Sequence, residues 1–326
     1  NLVPILISAL KKSNLYSLSS VRDKVSNGAS VVEKNTSRDS SRQTRTILSI
    51  ENILEREPEL LQQFKKKILP LVGPKIDAIA VTYGPGLAPA LWVGVNFARA
   101  LSYLWQKPLT PVNHMAGHFF SALLQKSEEN NFQFSIPNFQ FPVLALLVSG
   151  NHTELVIVKR PWHFKLIGQT QDDAAGEAFD KVARIMGYPY PGGPAISQLA
   201  IKGNQKKYPF PSPMLHSNNY NFSFSGLKTA VLYRIRDITG IISWKSAAKL
   251  TAQQKADIAA SFEKAAVDVL VKKSIRAAKE YKATTLLLGG GVAANKKLRE
   301  KLREALQNEL PKAAYYIPDL SLTGDN

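Results

Sequence analysis

Apolar and polar positions alternate along this chain with two periods. Ala78-Ile79-Ala80-Val81-Thr82 is a short apolar run closed by Gly84-Pro85-Gly86, which predicts a buried strand and a turn. From Pro89 to Trp105 the apolar residues recur at helical spacing. Residues 109–112 predict a short strand running into a helix that begins near His114. Residues 143–149 and 154–159 read as a hairpin around Gly150-Asn151, and residues 173–187, 194–202 and 225–236 as helices. A long helix is expected from about Ala252 to Tyr281, then a strand at 284–288, a helix from Asn295 and a last strand at 315–317. Strands alternating with helices in this way indicate α/β layers.

The first sixty residues pattern differently. Residues 2–12 read as a short amphipathic helix, whereas residues 14–46 are polar and aperiodic, the signature of a loop or disordered insert. A helix is expected from Ile50 to Leu71, interrupted near Pro58, with its acidic and basic residues on a solvated face.

Composition adds bounds. The 326 residues suffice for two domains, and 44% apolar content supports a sizeable core. The net charge of +17 favours a polyanionic partner, nucleic acid ahead of an anionic membrane, with solubility alone as the plainer account. The absence of cysteine excludes disulfides, thiolate catalysis and thiolate metal sites. No apolar run reaches the ~20 residues of a membrane helix, and no signal peptide opens the chain, so a cytoplasmic protein is expected. Residue 1 is not methionine, and the chain reads as a fragment.

Four stretches carry candidate chemistry. His114 and His118 stand at i and i+4, one face of a helix, where both imidazoles can point at one metal ion. Taken alone, two half-buried packing histidines are the commoner explanation. The residues between them, Met115, Ala116 and Gly117, supply no general base, against a zinc protease of the His-Glu-x-x-His type. Gly289-Gly290-Gly291 follows a strand and opens a helix, which suits close approach to a phosphate or simply a tight turn. Leu147 to Thr153 places Ser149, Gly150 and Asn151 at a hairpin tip that can wrap a phosphate or be only a polar turn. In the stretch 172–181, Asp172 or Asp173 is a candidate N-cap, and Glu177 and Asp180 share a face. The rigid turn Tyr190-Pro191-Gly192-Gly193-Pro194 follows, and carboxylates beside a glycine turn suit ribose hydroxyls. Ser225 is a candidate N-cap in Asn221 to Lys228.

Together with Thr82 to Leu87, Asn113 to His118 and Gly324-Asp325-Asn326, these strings resemble in order and spacing the tRNA N6-adenosine threonylcarbamoyltransferase family, formerly called O-sialoglycoprotein endopeptidases. The resemblance runs over residues 64–326 and 1–13. It implies an actin-like ATPase (ASKHA) α/β fold, two lobes with a nucleotide and metal cleft between them. Residues 1–13 and 64–140 would form the remainder of the first lobe. Residues 14–63 would be an insert, polar loop then helix, and residues 141–326 the second lobe region, returning toward the first at its end. The implied reaction moves threonylcarbamoyl from threonylcarbamoyl-AMP to N6 of the adenosine 3′ of the anticodon in tRNAs reading codons that begin with A.

By the same resemblance His114, His118 and Asp325 hold one divalent metal ion, Fe2+ first and Zn2+ as the alternative. Leu147, Val148, Ser149, Gly150 and Asn151 lie on the adenylate phosphates, and Asp180, Gly193, Ser197 and Asn295 contact the nucleotide. The implied partners are tRNA and, for a bacterial member, a catalytically degenerate paralogue and a P-loop ATPase; no membrane is involved. Asn151 stands where the family has the second glycine of Ser-Gly-Gly-His-Thr, and Ser197 where aspartate is frequent. The family's opening strands, with Glu-Thr-Ser-Cys-Asp, and its continuation beyond Asp-Asn fall outside residues 1–326, which implies truncation at both ends. The rival readings are a metalloprotease, a sugar kinase of the same fold, which leaves the histidine pair unexplained, and a non-catalytic scaffold subunit, which would lack the metal ligands.

Overall fold

Short apolar strands and amphipathic helices settle into two compact units, Asn1–Ala116 and Gly117–Asn326, each with its own core. The computed structural model describes residues 2–16, 36–126, 132–134, 140–240 and 249–324.

In the first unit, α1 (Leu2–Lys12), α2 (Thr36–Ile53), α3 (Pro58–Lys67) and α4 (Ala88–Trp105) gather around one apolar cluster. Val3, Ile50, Leu54, Phe64, Phe97 and Trp105 fill it, with the Phe64 and Phe97 rings edge to face at 5.9 Å. Pro58 stands in the first turn of α3, where its missing N–H costs nothing. Strands β1 (Ile79–Gly84) and β2 (Leu109–Asn113) pair in parallel from Ile79↔Leu109 to Thr82↔Val112, joined through α4.

One expectation is corrected here. Helix α2 begins at Thr36, so residues 36–46 are helical rather than loop. Ile50 and Leu54 anchor this segment in the core, and helix formation propagates cooperatively from an anchored segment. The rest of the expected polar insert, residues 17–35, lies outside the described residues.

In the second unit five strands form a mixed sheet in the order β7-β6-β5-β8-β9: β5 (Val143–Val148), β6 (Thr153–Val158), β7 (Phe164–Gln169), β8 (Thr285–Gly289) and β9 (Ala314–Tyr316). β5–β6 and β6–β7 are antiparallel; β5–β8 and β8–β9 are parallel. β5 and β8 are buried along their whole length, which is why they read as unbroken apolar runs. Leu144, Leu146 and Val148 face the main core with Leu155, Ile157, Leu286 and Leu288, while Ala145 and Leu147 are buried on the other face. A small hairpin pairs β3 (Leu124–Lys126) with β4 (Phe132–Phe134).

The core is closed by α6 (Ala175–Ile185), α7 (Gly192–Ile201), α8 (Ser225–Thr239), α9 (Ala252–Glu280) and α10 (Lys296–Glu309), with Phe179 of α6 edge-on to Phe262 of α9 at 4.9 Å. Helix α5 (His114–Ser121) carries the chain from the first unit into the second. Among the described residues no helix is long and apolar enough to cross a membrane.

Candidate functional site

The site is built at one end of the β5–β8 pair. Leu147 and Gly289 are register partners, so both strands end together. Gly290 then takes φ +90°, a conformation that favours glycine, and a Cβ there would stand 2.4 Å from the Val148 carbonyl oxygen. A Cβ on Gly289 would stand 2.5 Å from the His118 carbonyl oxygen, and one on Gly291 3.2 Å from that of Thr323. The triple glycine is therefore where three stretches remote in sequence meet: the end of β5, helix α5, and the segment leading to Gly324-Asp325.

Beside this turn the β5–β6 hairpin closes on itself. The Ser149 N–H donates to the His152 carbonyl at 2.8 Å, and the buried Ser149 hydroxyl oxygen accepts from His152 N at 3.2 Å and Asn151 N at 3.4 Å. Asn151 is exposed at the tip. Under the tip runs the first turn of α6: Ala175 N donates to Thr153 Oγ1 at 2.9 Å, and a Cβ on Gly176 would meet the Ser149 carbonyl oxygen at 2.5 Å. A glycine here lets a helix N-terminus, with its unsatisfied N–H groups and positive potential, lie against the hairpin tip.

Asp180, on the next turn of α6, accepts a hydrogen bond from Gly192 N at 2.6 Å and so secures the start of α7. Its neighbour Glu177 turns away to Lys181, 2.8 Å distant. Nothing stands within 4 Å of a Cβ built on Gly193. Ser197, one turn further, joins a group that the sequence did not announce. Its hydroxyl donates to Glu263 Oε1 at 2.8 Å, and Asn295 Nδ2 reaches both Ser197 Oγ, at 3.1 Å, and Glu263 Oε1, at 2.8 Å. Asn295 Oδ1 meanwhile caps α10 by accepting from Leu298 N. Glu263 is 4% exposed, with Lys297 Nζ 4.0 Å from its other oxygen. The available signal was a carboxylate on α9 whose helical neighbours Ala259, Ala260, Ala266 and Val267 are all apolar.

Two capping assignments are corrected. Neither Asp172 nor Asp173 caps α6, whose N-cap is Ala174. Asp172 instead caps α8 from across the fold, accepting from Phe224 N, Ser225 N and the hydroxyls of Ser223 and Ser225. Burial works to raise the Asp172 pKa, but these four hydrogen bonds together hold the carboxyl below its ordinary range. Ser225 is consequently the first residue of α8 and not its N-cap, which is Phe224. Asp173 pairs with Lys181 at 2.6 Å and Lys228 at 3.1 Å.

His114 and His118 fall on α5 as spaced. Asn113 Oδ1 accepts from Met115 N and Ala116 N, which fixes His114 as the first helical residue. His114 is half-buried and His118 is 5% exposed. Asp325 lies outside the described residues, and among those described no third His, Asp or Glu joins the pair. The donor types suit a divalent ion of the first transition row: two imidazoles on one helix face, with the backbone two residues before Asp325 packed on the same glycine turn as the His118 carbonyl.

Comparison with known proteins follows the same residues. The profile of the tRNA N6-adenosine threonylcarbamoyltransferase family (TsaD) matches residues 56–326. The chain is 46% identical over 252 residues to the tRNA N6-adenosine threonylcarbamoyltransferase of Enterococcus faecalis, covering 77% of this chain and 67% of that protein. It is 46% identical over 254 residues to the protein of that name from Thermosipho africanus, covering 77% and 70%. For Ralstonia pickettii the figures are 47% over 251 residues, 77% and 67%. The matched region thus spans about two thirds of the length of these relatives. Among solved structures, the crystal structure of T. kodakarensis HypF superimposes with a TM-score of 0.51 at 14% identity, covering 82% of this chain and 41% of that one, a likeness of fold.

Proposed function

This chain belongs to the tRNA N6-adenosine threonylcarbamoyltransferase family, and on that footing we propose that it transfers threonylcarbamoyl from threonylcarbamoyl-AMP to N6 of the adenosine 3′ of the anticodon. The observation that carries the reading is the meeting at Gly289–Gly291 of β5, the His118 turn of α5 and the segment before Asp325. This meeting supports a nucleotide–metal site, on the actin-like fold proposed for the chain.

The chain's own residues bind and orient. The hairpin tip, through Gly150, and the α6 N-terminus beyond Ala175 offer N–H donors to the adenylate phosphate. Ser197, Glu263 and Asn295 present a fixed set of donors and acceptors to the nucleoside, beside Gly193 and Asp180. Asn151, in place of a second glycine, adds an amide to the phosphate contacts. The N6 nitrogen attacks the threonylcarbamoyl carbonyl carbon, the C–O bond to phosphate breaks, AMP leaves and N6 loses a proton. His114, His118 and Asp325 would hold a divalent ion, Fe2+ or Zn2+, which when bound supplies Lewis-acid polarisation of that carbonyl. A tRNA substrate sets the reaction in the cytoplasm, with a paralogue and a P-loop ATPase as the expected partners.

The test is elemental mass spectrometry of the purified chain alongside its His114→Ala and His118→Ala variants. The wild type should carry about one equivalent of metal and each variant little, with far-UV circular dichroism unchanged. Nucleoside analysis of unmodified tRNA incubated with threonylcarbamoyl-AMP should show product only with the wild type. Full metal occupancy in the double variant would sink the reading.

A further inference from the structure

A cavity lies on the flank of α9. It has a volume of about 270 Å³ and is lined by Leu215, His216, Lys272, Lys273 and Arg276. Four of these five are basic residues, and among the described residues no carboxylate lines it.

Lys273 is 1% exposed. Its ammonium group donates to Ser217 Oγ at 2.9 Å, to Asn219 O at 3.3 Å and to Asn221 O. All three N–H groups are thus satisfied by neutral oxygens, and among the described residues the charge itself has no counter-ion. Burial, with the Arg276 charge adding to it, pushes the Lys273 pKa down to about 8, so the group still carries its proton at neutral pH. Arg276 donates to the Ser217 and Asn219 carbonyls and lies over the Tyr220 ring, 4.8 Å from its centroid. Glu280, one turn along α9, accepts from the Tyr220 hydroxyl and makes no ion pair with Arg276. At the mouth, Lys272 and His216 are exposed and without an ion pair among the described residues.

Holding the loop 215–222 accounts for the hydrogen bonds of Lys273 and Arg276. It does not account for leaving their charges unneutralised, nor for two further basic residues at the mouth. A buried cation without a counter-charge costs free energy, and an anion entering the cavity recovers part of it.

We propose that this cavity seats a phosphate group, and that the phosphate belongs to the tRNA backbone. Fixed cations around a concave site bind phosphate wherever it occurs. The assignment to tRNA rests on the function proposed above; the assignment to phosphate does not.

The experiment measures binding of unmodified tRNA by wild type and by Lys272→Glu across a salt series. In parallel, inorganic phosphate is titrated into the wild type while the His216 imidazole resonance is followed by NMR. Lys272 is exposed, so its replacement leaves the core untouched. The expected result is a several-fold loss of tRNA affinity and a salt slope shallower by about 1, the signature of one lost phosphate contact. Wild-type binding with an identical affinity and slope in the variant overturns the tRNA assignment. If the His216 resonance then still moves with millimolar phosphate, the site takes free phosphate; if it does not move, the phosphate site itself is overturned. Failure of the wild type to bind tRNA at all is a failure of the proposed function, separate from these outcomes.

Discussion

Glu263 shows how much one buried side chain organises. It accepts from Ser197 and Asn295 at once, tying α7 and the cap of α10 to α9. Hydrogen bonds to a charged partner contribute about 1.5–3 kcal/mol each, and losing the shared acceptor strands two donors. Glu263→Ala should therefore destabilise the protein by about 2–3 kcal/mol and weaken AMP binding, whereas Glu263→Gln, which keeps an acceptor oxygen, should lie between. Urea unfolding and calorimetric AMP titration read the two effects separately. An alanine variant that binds AMP like the wild type would remove Ser197, Glu263 and Asn295 from the nucleotide site.

At the scale of elements, caps and glycines set the angles at which helices enter the site. Helix α8 starts without a cap of its own and borrows Asp172, some fifty positions earlier in the chain. Asp172→Asn removes the charge-assisted part of that cap and should cost about 1–2 kcal/mol at pH 7. The sign with pH follows from the depressed carboxyl pKa in the folded state. The contribution is whole above the unfolded value of about 3.9 and is lost as pH falls through the folded value. Urea midpoints of wild type and variant should therefore differ at pH 7, draw together as pH falls below about 3.9, and meet only below the depressed folded value. A gap of constant size across that range would contradict the capping role.

For the whole molecule the governing quantity is charge. Lys and Arg number 42 against 25 Asp and Glu. If that excess meets a nucleic-acid backbone, binding releases counterions: a protein neutralising about six to ten phosphates loses roughly 10³–10⁵-fold in affinity between 50 and 200 mM salt. Fluorescence anisotropy with labelled tRNA should show a steep response of this kind. A flat response would leave the charge as a solubility feature and assign tRNA contacts to partner subunits.

The sequence by itself determined whatever depends on near neighbours in the chain. The buried strands β5 and β8 are unbroken apolar runs, the β5–β6 hairpin is set by Gly150-Asn151, and the i,i+4 histidines lie on one helix capped by Asn113. The glycine turn after β8 was legible for the same reason, since a turn's backbone demands fall on its own residues. Tertiary structure decided what is paired across distance. The edge strand β7 escaped notice because five of its six residues are not fully buried and it lacks alternation; its place comes from pairing with β6. Helix α2 extends back to Thr36 because Ile50 and Leu54 anchor it. Glu263 finds Ser197 and Asn295, and Asp172 finds α8, through packing that brings together residues 32 to 66 positions apart, beyond the reach of any local pattern.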